Sequence, residues 1–338
     1  MTKPILSIVV AAYNAEKTLD LCLCSISYQQ LQDFECIIVN NNSTDKTVNI
    51  AKHWCEKDSH FKLVDQEIQG CGAARNKGLE VARGKYIGFV DADDFIEPSY
   101  YYKLVHLSEE VGADTALSDV IYDNKSCSNR IEFYDKTKVC DRKSFLRDIA
   151  SDRIPSWPGI RIYRREILKD FRFVNGVYED YFAQHLLYYK CKEIVYLHEP
   201  LYHYMYYGES LSRQKNIEKE MQYLIAKKER YCFFKKIDNE LARLAAVSLL
   251  SSIIWSSDLM LFNAKNGLSF ILSKRYDEYF NKLKDENIIN YFDTRQKIIF
   301  EGYSTKARPL FCILHRLKIK ATSGVSIFRR WMSKLMGK

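Results

Sequence analysis

Over the first hundred residues the apolar positions switch between two spacings. Short, nearly continuous apolar runs of the strand kind, Ile5–Ala12, Phe34–Val39, Phe61–Val64 and Lys85–Val90, are separated by stretches with helical periodicity. Ala15–Gln29 places Leu19, Cys22, Leu23 and Ile26 on one helical face. Ser43-Thr44-Asp45 offers helix N-caps before Val48 and Ala51, and Gly70–Ala82 reads as a third helix. This alternation predicts a mostly parallel sheet with right-handed crossovers, flanked by helices. Glu97-Pro98 opens a further helix with Tyr101, Leu104, Ser108 and Val111 on one side, and Thr115–Tyr122 reads as a strand. The pattern is less regular from Ser126 to Tyr163. A helix then follows Glu179-Asp180, carrying Phe182, Leu186 and Tyr189, with short strands at Ile194–Leu197 and Leu201–Tyr206. After about Arg213 long helical runs continue to about Phe300. The expected organisation is therefore an α/β domain over 1–212, a helical C-terminal region over 213–305 and a basic amphipathic tail over 306–338.

Charge changes this picture at one end. The net charge of +8 is concentrated between Lys306 and Lys338, which holds nine Lys or Arg and no acid, and leaves 42 basic against 43 acidic residues elsewhere. A near-neutral body argues against a nucleic-acid binder. In Ser326–Lys338, Phe328, Trp331, Met332 and Leu335 recur at helical spacing, with Arg329, Arg330 and Lys334 on other faces. That pattern fits a helix lying against an anionic membrane surface, and equally a docked terminal helix or a disordered basic end. The ten cysteines contain no Cys-x-x-Cys pair, which argues against a zinc site and, with no leader segment expected ahead of Ile5, favours reduced thiols in the cytoplasm. Leu244–Trp255 is the most apolar stretch; it is too short to span a bilayer and is expected to be a buried helix.

The chemistry gathers where strands end. Asp91-Ala92-Asp93-Asp94 terminates the run Lys85–Val90, and ligands in open α/β sheets bind beyond the carboxyl ends of the strands. Crowded carboxylates need a cation among them, so the cluster suggests Mn²⁺ or Mg²⁺ held together with substrate phosphates. The first strand ends in Ala11-Ala12-Tyr13-Asn14 and the second in Asn40-Asn41-Asn42-Ser43. A tyrosine ring beside small residues and amides suits a nucleobase, while Asn is also a turn residue. Arg75, near the start of the third helix, suits a phosphate or the Asp cluster, or an ordering ion pair. Glu179 and Asp180 sit where a helix macrodipole favours acids in any case. His203 is a candidate third metal ligand or acceptor contact, or simply a packed histidine; Tyr202, Tyr204, Tyr206 and Tyr207 could stack on sugar faces, but their alternation better suits an ordinary half-buried strand. There is no Gly-x-Gly-x-x-Gly and no Walker sequence.

Taken together, Ser7–Asn14, Ile37–Asp45, Ala73–Gly78, Asp91–Asp94 and Glu179-Asp180 resemble glycosyltransferase family 2, inverting enzymes of the Rossmann-like GT-A fold, over roughly residues 4–212; Trp157–Ile167 is similar to bacterial members. The resemblance implies that Ala11, Ala12 and Tyr13 border the base of a nucleotide sugar. Asn41 stands where the family usually has an Asp that meets uracil. Asp91 would bind ribose, sugar or metal, Asp93 would ligate Mn²⁺ or Mg²⁺, and Glu179 would orient donor or acceptor beside Asp180, the base. The implied reaction is a metal-assisted single displacement from a nucleotide-diphosphate sugar, a UDP-sugar by preference, to a glycan or lipid-linked hydroxyl in bacterial surface-polysaccharide synthesis. The Asn at position 41 weakens the case for uracil without removing it. A non-catalytic nucleotide-sugar-binding scaffold and a nucleotidyltransferase are the alternatives; Ala11–Asn14 lacks the glycine-rich loop the latter needs.

Overall fold

The computed structural model describes residues 3–123, 128–206, 216–264 and 266–313. The first apolar run forms β1 (Leu6–Ala12), followed by α1 (Leu19–Ser27), β2 (Phe34–Asn40), α2 (Thr47–Lys57), β3 (Phe61–Asp65), α3 (Cys71–Val81) and β4 (Tyr86–Asp91). β1, β2 and β4 are buried almost end to end, as strands covered by helices on both faces must be. They pair in parallel, β2 between β3 and β1, and β1 between β2 and β4.

The second half of the sheet is mixed. After β5 (Phe95–Ile96) and α4 (Tyr100–Val111) come β6 (Thr115–Asp123), β7 (Ser128–Ile131), β8 (Lys138–Asp141), α5 (Arg142–Ala150), β9 (Arg161–Arg164), α6 (Arg165–Leu168), α7 (Glu179–Lys190) and β10 (Glu193–Met205). The sheet runs β3-β2-β1-β4-β9-β6-β10-β5, with β7 on β6 and β8 on β10. Strand β9 lies antiparallel between β4 and β6, so those two point the same way, and β10 is parallel to β6. The carboxyl ends of β1, β2, β4, β6 and β10 therefore share one edge. The alternating pattern marked the parallel half; β7, β8 and β9 are four residues each and leave no periodicity to read. The two short runs expected near residue 200 are one strand, β10, whose register against β6 shifts around Pro200.

The chain divides into two compact units: the described residues of Met1–Ile149 with Ile154–Ser210, and those of Ala150–Arg153 with Leu211–Lys338. The second unit is helical, with α8 (Ile217–Lys235), α9 (Asn239–Asn263), α10 (Gly267–Ile271), α11 (Lys274–Asp285) and α12 (Thr294–Ser304). Helix α9 extends well beyond the apolar stretch read from sequence. It is long and apolar enough to cross a membrane, but two thirds of its apolar window is buried inside the protein. Asp152, in the short segment that belongs to this unit, accepts hydrogen bonds from the buried Lys227 and, at 2.9 Å, from Arg230. Two basic residues at the start of the expected tail are also engaged. Lys306 lies 2.5 Å from Asp277, and the fully buried Arg308 guanidinium 2.6 Å from the same carboxylate. The amphipathic stretch Ser326–Lys338 lies outside the described residues.

Candidate functional site

The turns after β1 and β2 are built as one piece. Asn14 and Asn42 take the left-handed conformation, with φ of 47° and 62°, which Asn tolerates better than most residues. The Asn14 side chain accepts from the Thr44 N–H at 2.8 Å, and Thr47 Oγ accepts from the Ala15 N–H at 2.8 Å. Asp45 accepts from the N–H groups of Glu16 and Thr47, both at 3.0 Å, so the predicted cap acts just ahead of α2. Ala11 is half-buried and Ala12 buried, and Tyr13 projects beyond them, 37% exposed.

The asparagine run separates into three roles. Asn40 donates to Asp65 at 2.8 Å and accepts from the Ser43 N–H, while Asn42 makes the turn. Asn41 is buried; its N–H donates to the Ala12 carbonyl at 2.8 Å, and its side-chain oxygen accepts from the Gly70 N–H at 3.1 Å. Because Gly70 can only donate there, the amide orientation is fixed, with Nδ2 turned the other way.

Helix α3 carries the centre of the site. Asn76 brackets the main chain of Phe173, donating to its carbonyl and accepting from its N–H, both at 2.8 Å. Gly72 is needed beside it, since a Cβ there would lie 2.0 Å from the Val174 carbonyl oxygen. These contacts press the segment before α7 against α3. Tyr178 then caps α7 with φ of 62°, a conformation that a bulky residue adopts only under constraint. It delivers Glu179 and Asp180 into the first turn of α7. Arg75, also on α3, is almost fully buried, hydrogen-bonds Glu179 and donates to Asp91 at 2.9 Å. Burial by itself lowers the pKa of this guanidinium, but Cys71, Glu179, Asp91 and Asp180 hold it well above the ordinary value. Of the residues singled out in the sequence, Arg75, Asp91 and Glu179 thus meet directly, although they span 104 positions.

The aspartates at the end of β4 have distinct surroundings. Asp91 is tied to Arg75. Asp94 is buried and accepts from the Tyr202 hydroxyl at 2.7 Å and the Met205 N–H at 2.8 Å, fastening this turn to β10. Asp93 is pushed up to about 6, by burial first and then by the charge of Asp91. Among the described residues no side chain donates a hydrogen bond to the Asp93 carboxylate. Nor do three His, Cys, Asp or Glu side chains form a complete metal cage. Two neighbouring carboxylates, one of them burdened by uncompensated charge, fit a divalent cation completed by phosphate oxygens.

His203 is not placed to serve as a third ligand. Its Nδ1 lies 2.6 Å from Asp123 and its Nε2 2.9 Å from Glu97, and the ring stacks on Phe95 at 4.1 Å. Both ring nitrogens are thus engaged by carboxylates other than Asp91 and Asp93. The partners of Tyr202 and His203, and the role of Asn76, had no signal in the sequence because each depends on a contact between distant segments.

Comparisons with known proteins bear on the family and the fold. A model of the family described as Glycosyl transferase family 2 matches residues 7–172. EpsH of Bacillus subtilis, a glycosyltransferase by name, is 32% identical over 228 residues, 62% of this chain and 63% of its own length, so this chain spans less than two thirds of that relative. An uncharacterized glycosyltransferase of Haemophilus influenzae is 32% identical over 187 residues, 54% of this chain and 70% of its own length. Among solved structures, TarS of S. aureus in complex with UDP superposes with a TM-score of 0.62 at 21% identity, covering 92% of this chain and 89% of its own. A likeness at that identity concerns the fold alone.

Proposed function

This chain belongs to glycosyltransferase family 2, and from that premise we propose that it transfers a sugar from a nucleotide-diphosphate sugar to a hydroxyl of a glycan or lipid-linked acceptor, with inversion, in bacterial surface-polysaccharide synthesis. The observation that carries the reading is the Arg75 bridge. It couples the strand end holding Asp91 and Asp93 to the helix start holding Glu179 and Asp180, at the shared carboxyl edge of the sheet.

In this reading Ala11, Ala12, Tyr13 and Asn41 border the base. The fixed amide of Asn41 offers a donor, Nδ2, to a carbonyl of a pyrimidine such as uracil, and the crystallised complexes of TarS with UDP and UDP-GlcNAc support a uridine donor. Asp93, with Asp91, would hold Mn²⁺ or Mg²⁺. When bound, that cation supplies positive charge against the charge of the leaving diphosphate. Asp180 takes the proton of the attacking hydroxyl, a task for one carboxylate in a single displacement. Glu179, tied to Arg75, is poorly placed for that task and instead fixes the first turn of α7. The protein would work in the cytoplasm or at the inner face of the membrane, with residues 306–338 as the candidate peripheral contact.

The test is Asp180→Asn, scored by release of free nucleoside diphosphate across a nucleotide-sugar panel with Mn²⁺. Transfer is expected to be abolished while donor binding is retained. Near-normal turnover would remove Asp180 from the role of base.

A further inference from the structure

A single phenol holds both ends of the turn Asp91–Asp94. The main chain closes the turn with a bond from the Asp94 N–H to the Asp91 carbonyl at 2.9 Å. The hydroxyl of Tyr202, on β10, donates to the Asp94 carboxylate at 2.7 Å and accepts from the Asp91 N–H at 3.4 Å. The other oxygen of Asp94 accepts from the Met205 N–H at 2.8 Å, so β10 grips the turn twice. Asp93 stands between the two anchored residues.

The hydroxyl is itself fixed in place. Tyr202 is buried, and Gly159 lies against the end of its ring: a Cβ at Gly159 would stand 2.5 Å from the hydroxyl oxygen. Tyr100, the first residue of α4, meets the ring edge-on at 6.0 Å. The Tyr100 hydroxyl donates to the Gly159 carbonyl at 2.7 Å, which holds the 3-10 turn Pro158–Ile160 against the ring. Segments around residues 100, 159 and 202 thus converge on one oxygen atom.

A buried tyrosine hydroxyl needs a hydrogen-bond partner. A main-chain carbonyl serves that need for Tyr100. For Tyr202 the partners are instead the two ends of the turn that carries Asp93. Packing requires the ring, but only the turn requires the hydroxyl. A cation such as Mg²⁺ takes its oxygens at about 2.0–2.1 Å in near-octahedral array, so a small displacement of a ligating carboxylate costs affinity. We propose that Tyr202 is a positioning residue of the transferase: by tying Asp91 to Asp94 it sets where the Asp93 carboxylate stands, and so how tightly the divalent cation is held. The proposal rests on the transferase reading given above and adds to it a residue buried behind the site.

Two variants test this. Tyr202→Phe removes the hydroxyl and keeps the ring; Gly159→Ala keeps the hydroxyl and displaces it. Neither changes a charge, so lost cation affinity cannot be lost charge. Binding of Mn²⁺ to the full chain with UDP present is followed by the spectrum of free Mn²⁺, and turnover by release of nucleoside diphosphate. Each variant is expected to weaken Mn²⁺ binding about tenfold or more. The Mn²⁺ concentration that gives half-maximal turnover should rise by the same factor. A role in packing alone would lower the unfolding midpoint and leave that concentration where it is. Mn²⁺ affinity within about twofold of the unaltered protein in folded Tyr202→Phe overturns the proposal, whatever the variant's stability. Should Tyr202→Phe fail to fold, Gly159→Ala decides by the same criterion. Failure of the unaltered protein to bind Mn²⁺ with any nucleotide of the donor panel overturns the cation site and the proposal with it. Absence of transfer by the unaltered protein with Mn²⁺ bound counts against the transferase reading instead, while the affinity measurement still decides the role of Tyr202.

Discussion

Asp93 carries a proton to higher pH than an ordinary aspartate, because burial and the neighbouring Asp91 both oppose its charge. A folded-state pKa above the unfolded one contributes stability that is complete at low pH and lost as pH rises through about 6. Asp93→Asn is therefore expected to stabilise the metal-free protein at about pH 8 by roughly 1–2 kcal/mol, discounted for partial exposure, and to change little at about pH 4. Chemical denaturation at the two pH values checks this. The same proton competes with a cation. Mn²⁺ affinity should be level above about pH 7 and fall roughly tenfold per unit below about pH 6, as followed by the spectrum of free Mn²⁺. Arg75 is a different case, a buried charge already paired. Arg75→Met leaves Glu179 buried without its partner and should lower stability by about 3–5 kcal/mol. Adding Glu179→Gln should return much of that stability, but not activity; no recovery in the double variant would mean that Arg75 acts through some other contact.

Among the elements, α3 and the start of α7 depend on each other. Gly72 lets the α3 backbone approach Val174, and Asn76 fixes Phe173 in the position that approach creates. Gly72→Ala must push the segment before α7 away, moving Asp180 while leaving Tyr13 and Asn41 where they are. Transfer is expected to fall on the order of a hundredfold with nucleotide affinity nearly unchanged, measured by turnover and by titration with UDP. Equal losses in both would show that the damage spreads to the base site. Strands β1 to β4 and helices α1 to α3 were legible because each is long enough to display its period, whereas β5, two residues long, shows none. The segment Ser126–Tyr163 was not, because β7, β8 and β9 are four residues each and owe their form to the strands beside them.

On the scale of the whole molecule, charge and topology answer different questions. The excess of positive charge lies in Lys306–Lys338, where Lys306 and Arg308 are paired with Asp277. Deleting Gly324–Lys338 is expected to move the protein from anionic liposomes to the soluble fraction; undiminished liposome binding at low salt would refute the anchor. The order of strands and helices in the first half, the apolar core positions and the clustering of acids at a strand end all follow from the sequence, since each is a matter of local spacing and side-chain type. The fixed amide of Asn41, the bridging of Asp91 and Glu179 by Arg75, and the engagement of His203 by Asp123 and Glu97 were decided by the tertiary structure. Each rests on a contact between segments distant in the chain, and only the register of strands and the close packing of α3 determine which segments meet.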